Sequence, residues 1–365
     1  MEKKYIKKVL ILGSILLLGT TVYTSPIIID EQGSFFVGGE ISKVSGTFDS
    51  KNSDDNNPYK IYPEAGQTLH SDHAYVSYQK PINMKKYPLV FLHGGGQSGK
   101  SWETTPDGRE GFNNIFLRKN YGVYIVDQPR RGRAGLSSTT VTIVPTHSEQ
   151  YLYNFFRIGL YLDYFEGVQF AKDEETLNQY FRQVTPNTGN FDEKVVAGSM
   201  SNLFDKIGEG VLVAHSQGSG PAMESVLKNS KIKGLAIYEP GGCNIFFPEG
   251  EDIEISENEL PDSLYIQKIS KEEFKKFLEI PIVIYFGDNI PNKKSEYPIL
   301  EEWRLRLKLV KKWAEIVNKN GGDVQVIHLP EIGIKGNTHF PFSDLNNMDI
   351  ANLLEKWLEE KNLNN

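Results

Sequence analysis

A chain of 365 residues with 39% hydrophobic and 12% aromatic content suits one large α/β domain carrying an insertion, and its composition is neither collagen-like nor that of a disordered chain. The net charge of -7 argues against nucleic acid or anionic lipid as a partner. Cys243 is the single cysteine, so no intrachain disulfide can form, and no internal repeat is visible.

Lys3, Lys4, Lys7 and Lys8 precede the apolar run Val9–Gly19, and small and polar residues follow. This pattern predicts a secretory signal over residues 1–25, with an uncleaved N-terminal anchor as the alternative. The run is shorter than the about 20 residues of a membrane span. The remaining domain is 26–365. Within it, Ile27–Ile29 and Phe35–Val37 are split by Glu31, Gln32 and Gly33, which predicts an N-terminal hairpin. Residues 50–58 read as a solvated loop and Ala74–Tyr78 as a strand.

Pro88–Leu92 is a buried-type strand that ends in His93, Gly94, Gly95 and Gly96. Successive glycines let backbone N–H groups approach a ligand, and this run matches one arm of an oxyanion hole. The spacing from Gly94 to Gly99, Lys100 and Ser101 also fits a phosphate loop literally. Pro106 and Gly108 would break the helix such a loop requires, so nucleotide binding is not expected. Gly111–Asn120 reads as a helix and Tyr121–Asp127 as a strand. Arg130, Arg131 and Arg133 read as a solvated turn with local carboxylate partners. The next stretch, 136–210, is far longer than a crossover needs and is rich in Tyr and Phe between Tyr151 and Phe181. It predicts a helical cap or lid over a pocket, the plainer reading being helices packed on the core.

Val211–Ala214 runs into His215, Ser216, Gln217 and Gly218, and a helical segment Pro221–Lys228 follows. This is strand, tight turn, helix: the G-x-S-x-G nucleophile elbow, with Ala214 at the first Gly position. Lys233–Tyr238 is a strand closing on Glu239 and Pro240, and Ile280–Phe286 is one closing on Gly287 and Asp288. Cys243 reads as a structural thiol, since no His motif stands beside it. Glu301–Lys319 has helical spacing, Gly321 and Gly322 end it, and Asp323–Leu329 is a last strand. The loop 333–347 holds His339, and Met348–Leu363 is a closing amphipathic helix.

Alternating strands and helices imply an α/β fold with a mostly parallel, doubly wound sheet. Active sites of such sheets lie beyond the carboxyl ends of the strands. Gly94–Gly96, Ser216, Glu239, Asp288 and His339 all fall there. Serine, acid and histidine follow in that order, and either carboxylate could serve as the acid. His93 and His215 read as hydrogen-bonded structural residues.

The chain resembles the α/β-hydrolases, and more narrowly the secreted bacterial esterase 713 type. The resemblance rests on Gly33–Gly39, Trp102–Arg109, Phe116–Lys119, Val126–Gln128 with Arg131–Arg133, His215–Gly218, Tyr238–Pro240 and Gly336–Phe340. It implies a Ser-His-Glu triad of Ser216, His339 and Glu239, with Asp288 as the alternative acid and a turn residue otherwise. It also implies an oxyanion hole from the N–H groups of Gln217 and of Gly95 or Gly96. The expected activity is hydrolysis of small-molecule carboxylic esters, with no cofactor and no metal. The expected location is periplasmic or extracellular in a bacterium, with a homodimer as one option for assembly. An amidase, peptidase or thioesterase with the same triad is the rival reading, and a non-catalytic binding protein on the same scaffold is another.

Overall fold

The protein is described by a computed structural model covering residues 25–51, 64–144, 146–253, 260 and 264–365. The secretory signal expected over residues 1–25 therefore lies outside the described residues apart from Ser25, and so does most of the loop expected over 50–58. The strands are β1 (Ile29–Lys43), β2 (Thr68–Pro81), β3 (Leu89–Leu92), β4 (Val123–Asp127), β5 (Gly159–Leu160), β6 (Asp163–Tyr164), β7 (Gly210–His215), β8 (Ile232–Tyr238), β9 (Cys243–Pro248), β10 (Leu264–Ile269), β11 (Pro281–Phe286) and β12 (Asp323–His328). The helices are α1 (Phe112–Arg118), α2 (Glu149–Phe155), α3 (Glu174–Arg182), α4 (Glu193–Ile207), α5 (Ser219–Lys228), α6 (Lys271–Phe274), α7 (Pro298–Lys319) and α8 (Asn347–Glu360).

An eight-stranded sheet, ordered β1-β2-β4-β3-β7-β8-β11-β12, organises the chain. Only β2 runs against its neighbours. From β4 to β12 every pair is parallel, which needs a crossover between strands and places helices on both faces. Side chains alternate across each strand, so one short run feeds two cores. Val90 and Leu92 join the core under α4, α5 and α7, while Leu89 and Phe91 join the core under α1 and α8. Burial on both faces is why these strands are continuous apolar runs.

The hairpin expected within 26–41 is not there. Ile29–Lys43 is one long strand, and its antiparallel partner is β2. The residues taken for a turn, Glu31, Gln32 and Gly33, pair with Lys80, Gln79 and Tyr78. The strand lies at the sheet edge and is mostly exposed, so polar and glycine residues do not interrupt it.

The stretch 136–210 divides in two. Its last part, α4, starts where the Asp192 carboxylate caps the Lys194 N–H at 2.9 Å. Val196, Met200, Leu203 and Phe204 then pack in one core with Ala222, Met223 and Val226 of α5, so α4 is a crossover helix against the sheet. The earlier part holds α2, the β5–β6 ribbon and α3. Tyr153, Phe156, Ile158, Phe170 and Tyr180 from it pack with Phe340 and Phe342 of the loop after β12.

Register brings the strand ends level. His215 pairs with Tyr238 and Tyr238 with Tyr285, so Ser216, Glu239 and Gly287 leave the sheet side by side. Among the described residues no helix is long and apolar enough to cross a membrane.

Candidate active site

Ser216 stands at the end of β7, opening a single 3-10 turn that leads into α5. Its φ is +51°, a region costly for a residue bearing a Cβ. The neighbours must therefore be small. A Cβ on Gly94 would come within 2.7 Å of the Ser216 Cβ, and one on Gly218 within 2.5 Å of the His93 carbonyl oxygen. Ala214, where the motif has Gly, is buried in the α4–α5 core, where a methyl group is accommodated.

The glycine arm runs beside the elbow. A Cβ on Gly95 would lie 3.1 Å from Gln217 Oε1, and Gly96 takes a φ of +63° while its carbonyl accepts the Thr185 N–H at 2.9 Å. Arg131 ties the two arms together, donating to the Gly94 carbonyl at 2.9 Å and to Gln217 Oε1 at 3.2 Å. A cavity of about 280 Å³ opens next to Gly96, lined also by Val141, Val144, Thr185 and Asn187. The stretch with phosphate-loop spacing, where nucleotide binding was not expected, is tied up internally: the Gly99 N–H donates to Asp127 at 2.7 Å and the Lys100 ammonium to the Thr104 carbonyl at 2.6 Å.

His339 reaches over the elbow from the loop after β12. Its Nε2 lies 3.0 Å from Ser216 Oγ, and its Nδ1 lies 3.3 Å from Glu239 Oε2. The other carboxylate oxygen, Oε1, accepts from Arg157 Nη2 at 2.6 Å and from the Gly287 N–H. Asp288 does not face the imidazole. Its carboxylate accepts the N–H groups of Asn289 and Gly336, each at 2.7 Å, and so holds the base of the His339 loop. His93 donates from Nδ1 to the Gly94 carbonyl at 2.9 Å and accepts the Gln128 N–H on Nε2 at 3.1 Å. His215 Nε2 donates to the His339 carbonyl at 2.9 Å.

No protein-family model matches the chain. Among characterised sequences it is similar to the probable secreted lipase phiG of Fungal sp. (strain ATCC 74256), 26% identical over 326 residues that make up 79% of this chain and 86% of that protein. Among solved structures it is similar to a novel bacterial esterase determined at atomic resolution, with 28% identity, a TM-score of 0.72, and coverage of 93% of this chain and 98% of that one. The chain has the α/β-hydrolase fold.

The electrostatics of the site follow from burial. Arg157, Glu239 and His339 are each 0% exposed, and Ser216 is 7% exposed. Burial pushes the Glu239 carboxyl up, but Arg157 and His339 outweigh it and hold it ionised at about 2. Burial, aided by Arg157 and Arg306 and opposed by Glu239, pulls His339 down to about 4, so the resting imidazole is neutral and Nε2 can accept a proton. Aromatic rings fix its plane: Phe156 stacks on it at 5.3 Å and Trp303 lies 4.7 Å away.

Three arginines give the site features that sequence reasoning missed. The turn with Arg130, Arg131 and Arg133 is not a solvated loop: Arg130 pairs with Asp72 at 2.7 Å and both are buried, and Arg131 is buried with neutral partners. Only Arg133 is exposed as expected, with the nearby Asp127 carboxylate as its partner. Arg157 carried no signal, being one cation in an aromatic stretch. Among the described residues no group of three or more His, Cys, Asp or Glu is placed to hold a metal ion.

Proposed function

We propose that this α/β-hydrolase is an exported serine esterase that cleaves small-molecule carboxylic esters through an acyl-enzyme. Ser216 Oγ attacks the acyl carbon as His339 Nε2 takes its proton, and the N–H groups of Gln217 and of Gly95 or Gly96 bind the oxyanion. The tetrahedral adduct collapses, the ester C–O bond breaks, and His339 returns the proton to the leaving alcohol. Water repeats the cycle on the acyl-enzyme. Glu239 holds the Nδ1–H tautomer and offsets the imidazolium charge.

The observation that carries this reading is the continuous chain from Ser216 Oγ through His339 to Glu239, at 3.0 and 3.3 Å. The esterase and lipase relatives support the ester as the scissile bond. Residues 1–25 and the secreted relative support export. The test is Ser216→Ala, scored on p-nitrophenyl esters of graded chain length. Turnover should fall on the order of 10⁴-fold or more with the fold intact. Wild-type rates on any ester the parent cleaves would remove Ser216 from the role. Fluorophosphonate labelling of the parent but not of the variant separates an enzyme from a binding module.

A further inference from the structure

The acid of the triad does not stand alone. Glu239 sits at a strand end with φ of +55°, its carboxylate free in principle to turn either oxygen towards His339. Arg157 removes that freedom. Its Nη2 lies 2.6 Å from Oε1, the Gly287 N–H donates to the same oxygen, and Oε2 is left to His339 Nδ1 at 3.3 Å. Arg157 is itself immobilised. Its Nε donates to the Asp288 carbonyl at 2.8 Å, and its guanidinium lies 4.4 Å from the centre of the Trp303 ring. The ring of Trp303 is held in turn by its indole N–H, which donates to the Phe155 carbonyl at 2.8 Å.

We propose that Arg157 is the positioning residue of the catalytic acid, fixing Glu239 through Oε1 so that Oε2 alone orients His339. The proposal rests on the assignment of Ser216, His339 and Glu239 given above. It makes the insertion a working part of the triad, because three consecutive residues of it meet the site. The Phe155 ring lies 5.7 Å from the imidazole, Phe156 stacks on it and accepts the His339 N–H at 2.8 Å, and Arg157 binds the acid.

Charge arguments separate positioning from direct stabilisation. A guanidinium opposes the imidazolium that forms during acyl transfer, and Arg157 indeed adds to the lowering of His339. Its benefit must therefore come through Glu239. A buried carboxylate that lost its cation would take up a proton and could then neither orient the imidazole nor offset its charge. The groups facing Glu239 are Arg157 from the insertion and His339 from the loop after β12, with Asp344 of that loop farther off; Arg306 of α7 faces His339. Asp344 and Arg306 are common to every variant below, so their titration cannot produce a difference between variants.

The experiment compares full-length Arg157→Met, Arg157→Lys, Glu239→Gln and the double variant Arg157→Met/Glu239→Gln, each checked for native circular dichroism. Arg157→Met should cut kcat by roughly 10²-fold while KM changes by less than about threefold, and the acid limb of kcat/KM against pH should move up by about one unit or more. Arg157→Lys should recover about tenfold of the loss, since it restores the charge without the fork. The double variant should be no slower than Glu239→Gln by more than about threefold, because the two residues act as one unit. Full additivity in the double variant would overturn the proposal. So would a folded Arg157→Met with near-parental kcat and an unmoved acid limb. If Arg157→Met does not fold, the double variant carries the test, since it removes both buried charges together. A parental rate in Glu239→Gln or Ser216→Ala would instead overturn the triad assignment beneath the proposal.

Discussion

The carboxylates of Glu239 and Asp288 sit at neighbouring strand ends, and each has acceptor work to do. Glu239 accepts from a cation, a backbone N–H and the imidazole, whereas Asp288 accepts two backbone N–H groups, from Asn289 and Gly336. An amide keeps half of the second function, since its one oxygen still accepts while its NH2 cannot take the N–H on the other oxygen, but it keeps none of the first, which needs charge. Glu239→Gln should therefore cut kcat by about 10³- to 10⁴-fold. Asp288→Asn should cost less than about tenfold, the loss falling on the seating of the His339 loop. Paired steady-state kinetics on folded variants check the ranking, and the reverse order would move the acid to Asp288. At this scale, legibility in the sequence followed the motifs. Ser216 and His339 lie in short segments whose glycines and order announce them. Glu239 and Asp288 could not be separated by spacing, because both close apolar strands of the same kind; only the resemblance favoured one. Arg131 and Arg157 join the candidate site through burial, and burial of a lone arginine leaves no local pattern.

The glycine arm and the elbow interlock, whereas Gly198 carries no such constraint. A Cβ at Gly94 would meet the Ser216 Cβ at 2.7 Å and His215 Nδ1 at 2.9 Å, both on rigid neighbours. Gly198 lies inside α4, and a Cβ there would meet nothing within 4 Å. Gly198→Ala should accordingly raise stability by roughly 0.5–1 kcal/mol with activity unchanged, by lowering the entropy of the unfolded chain. Gly94→Ala should lower kcat by about 10²-fold or more, because the serine must shift. Urea midpoints and ester kinetics on the pair decide it, and a silent Gly94→Ala would mean that the arm is looser than its contacts imply. The same elements show why the central sheet could be read in advance while its flanks could not. Strands such as Val211–Ala214 and Ile282–Phe286 are apolar throughout because both faces are buried. The edge strand β1 has one neighbour and mostly exposed side chains, so its polar residues imitated a turn. The parallel pair β9 and β10 followed a double glycine and flanked an acidic run, and neither signal suggests a strand. The helix α4 lay inside a long aromatic insertion and was counted with it.

Across the whole molecule, buried ionisable groups set how acid acts. Burial holds His93 down to about 3, His215 well below its usual 6.5 and His339 down to about 4. Each is neutral when folded and takes a proton when unfolded, so below pH 6.5 the unfolded chain binds more protons and stability falls as pH falls. Asp344 has the opposite sign. Burial raises it from 3.8 to about 7 despite donation from Thr338 and Asn337, so the folded state binds its proton more tightly and acid favours folding there. Three groups against one leave the net sign with the histidines, so stability falls as pH drops from about 6 to 4.5. Thermal midpoints at pH 7, 6 and 5 should drop accordingly, while the protein that remains folded keeps His339 neutral; a constant midpoint would contradict the sign. The stitching of the insertion to the histidine loop has a consequence in time. The Gln169 N–H donates to the Gly336 carbonyl at 2.7 Å, the Leu345 N–H to Gln169 at 2.8 Å and the His339 N–H to Phe156 at 2.8 Å, all between segments far apart along the chain. Loop closure of that span is slow compared with forming helices and neighbouring strands. Catalysis is then a clock for the last docking event. On dilution from denaturant, far-ultraviolet dichroism should recover first and ester turnover later, with a delay that Arg157→Met lengthens.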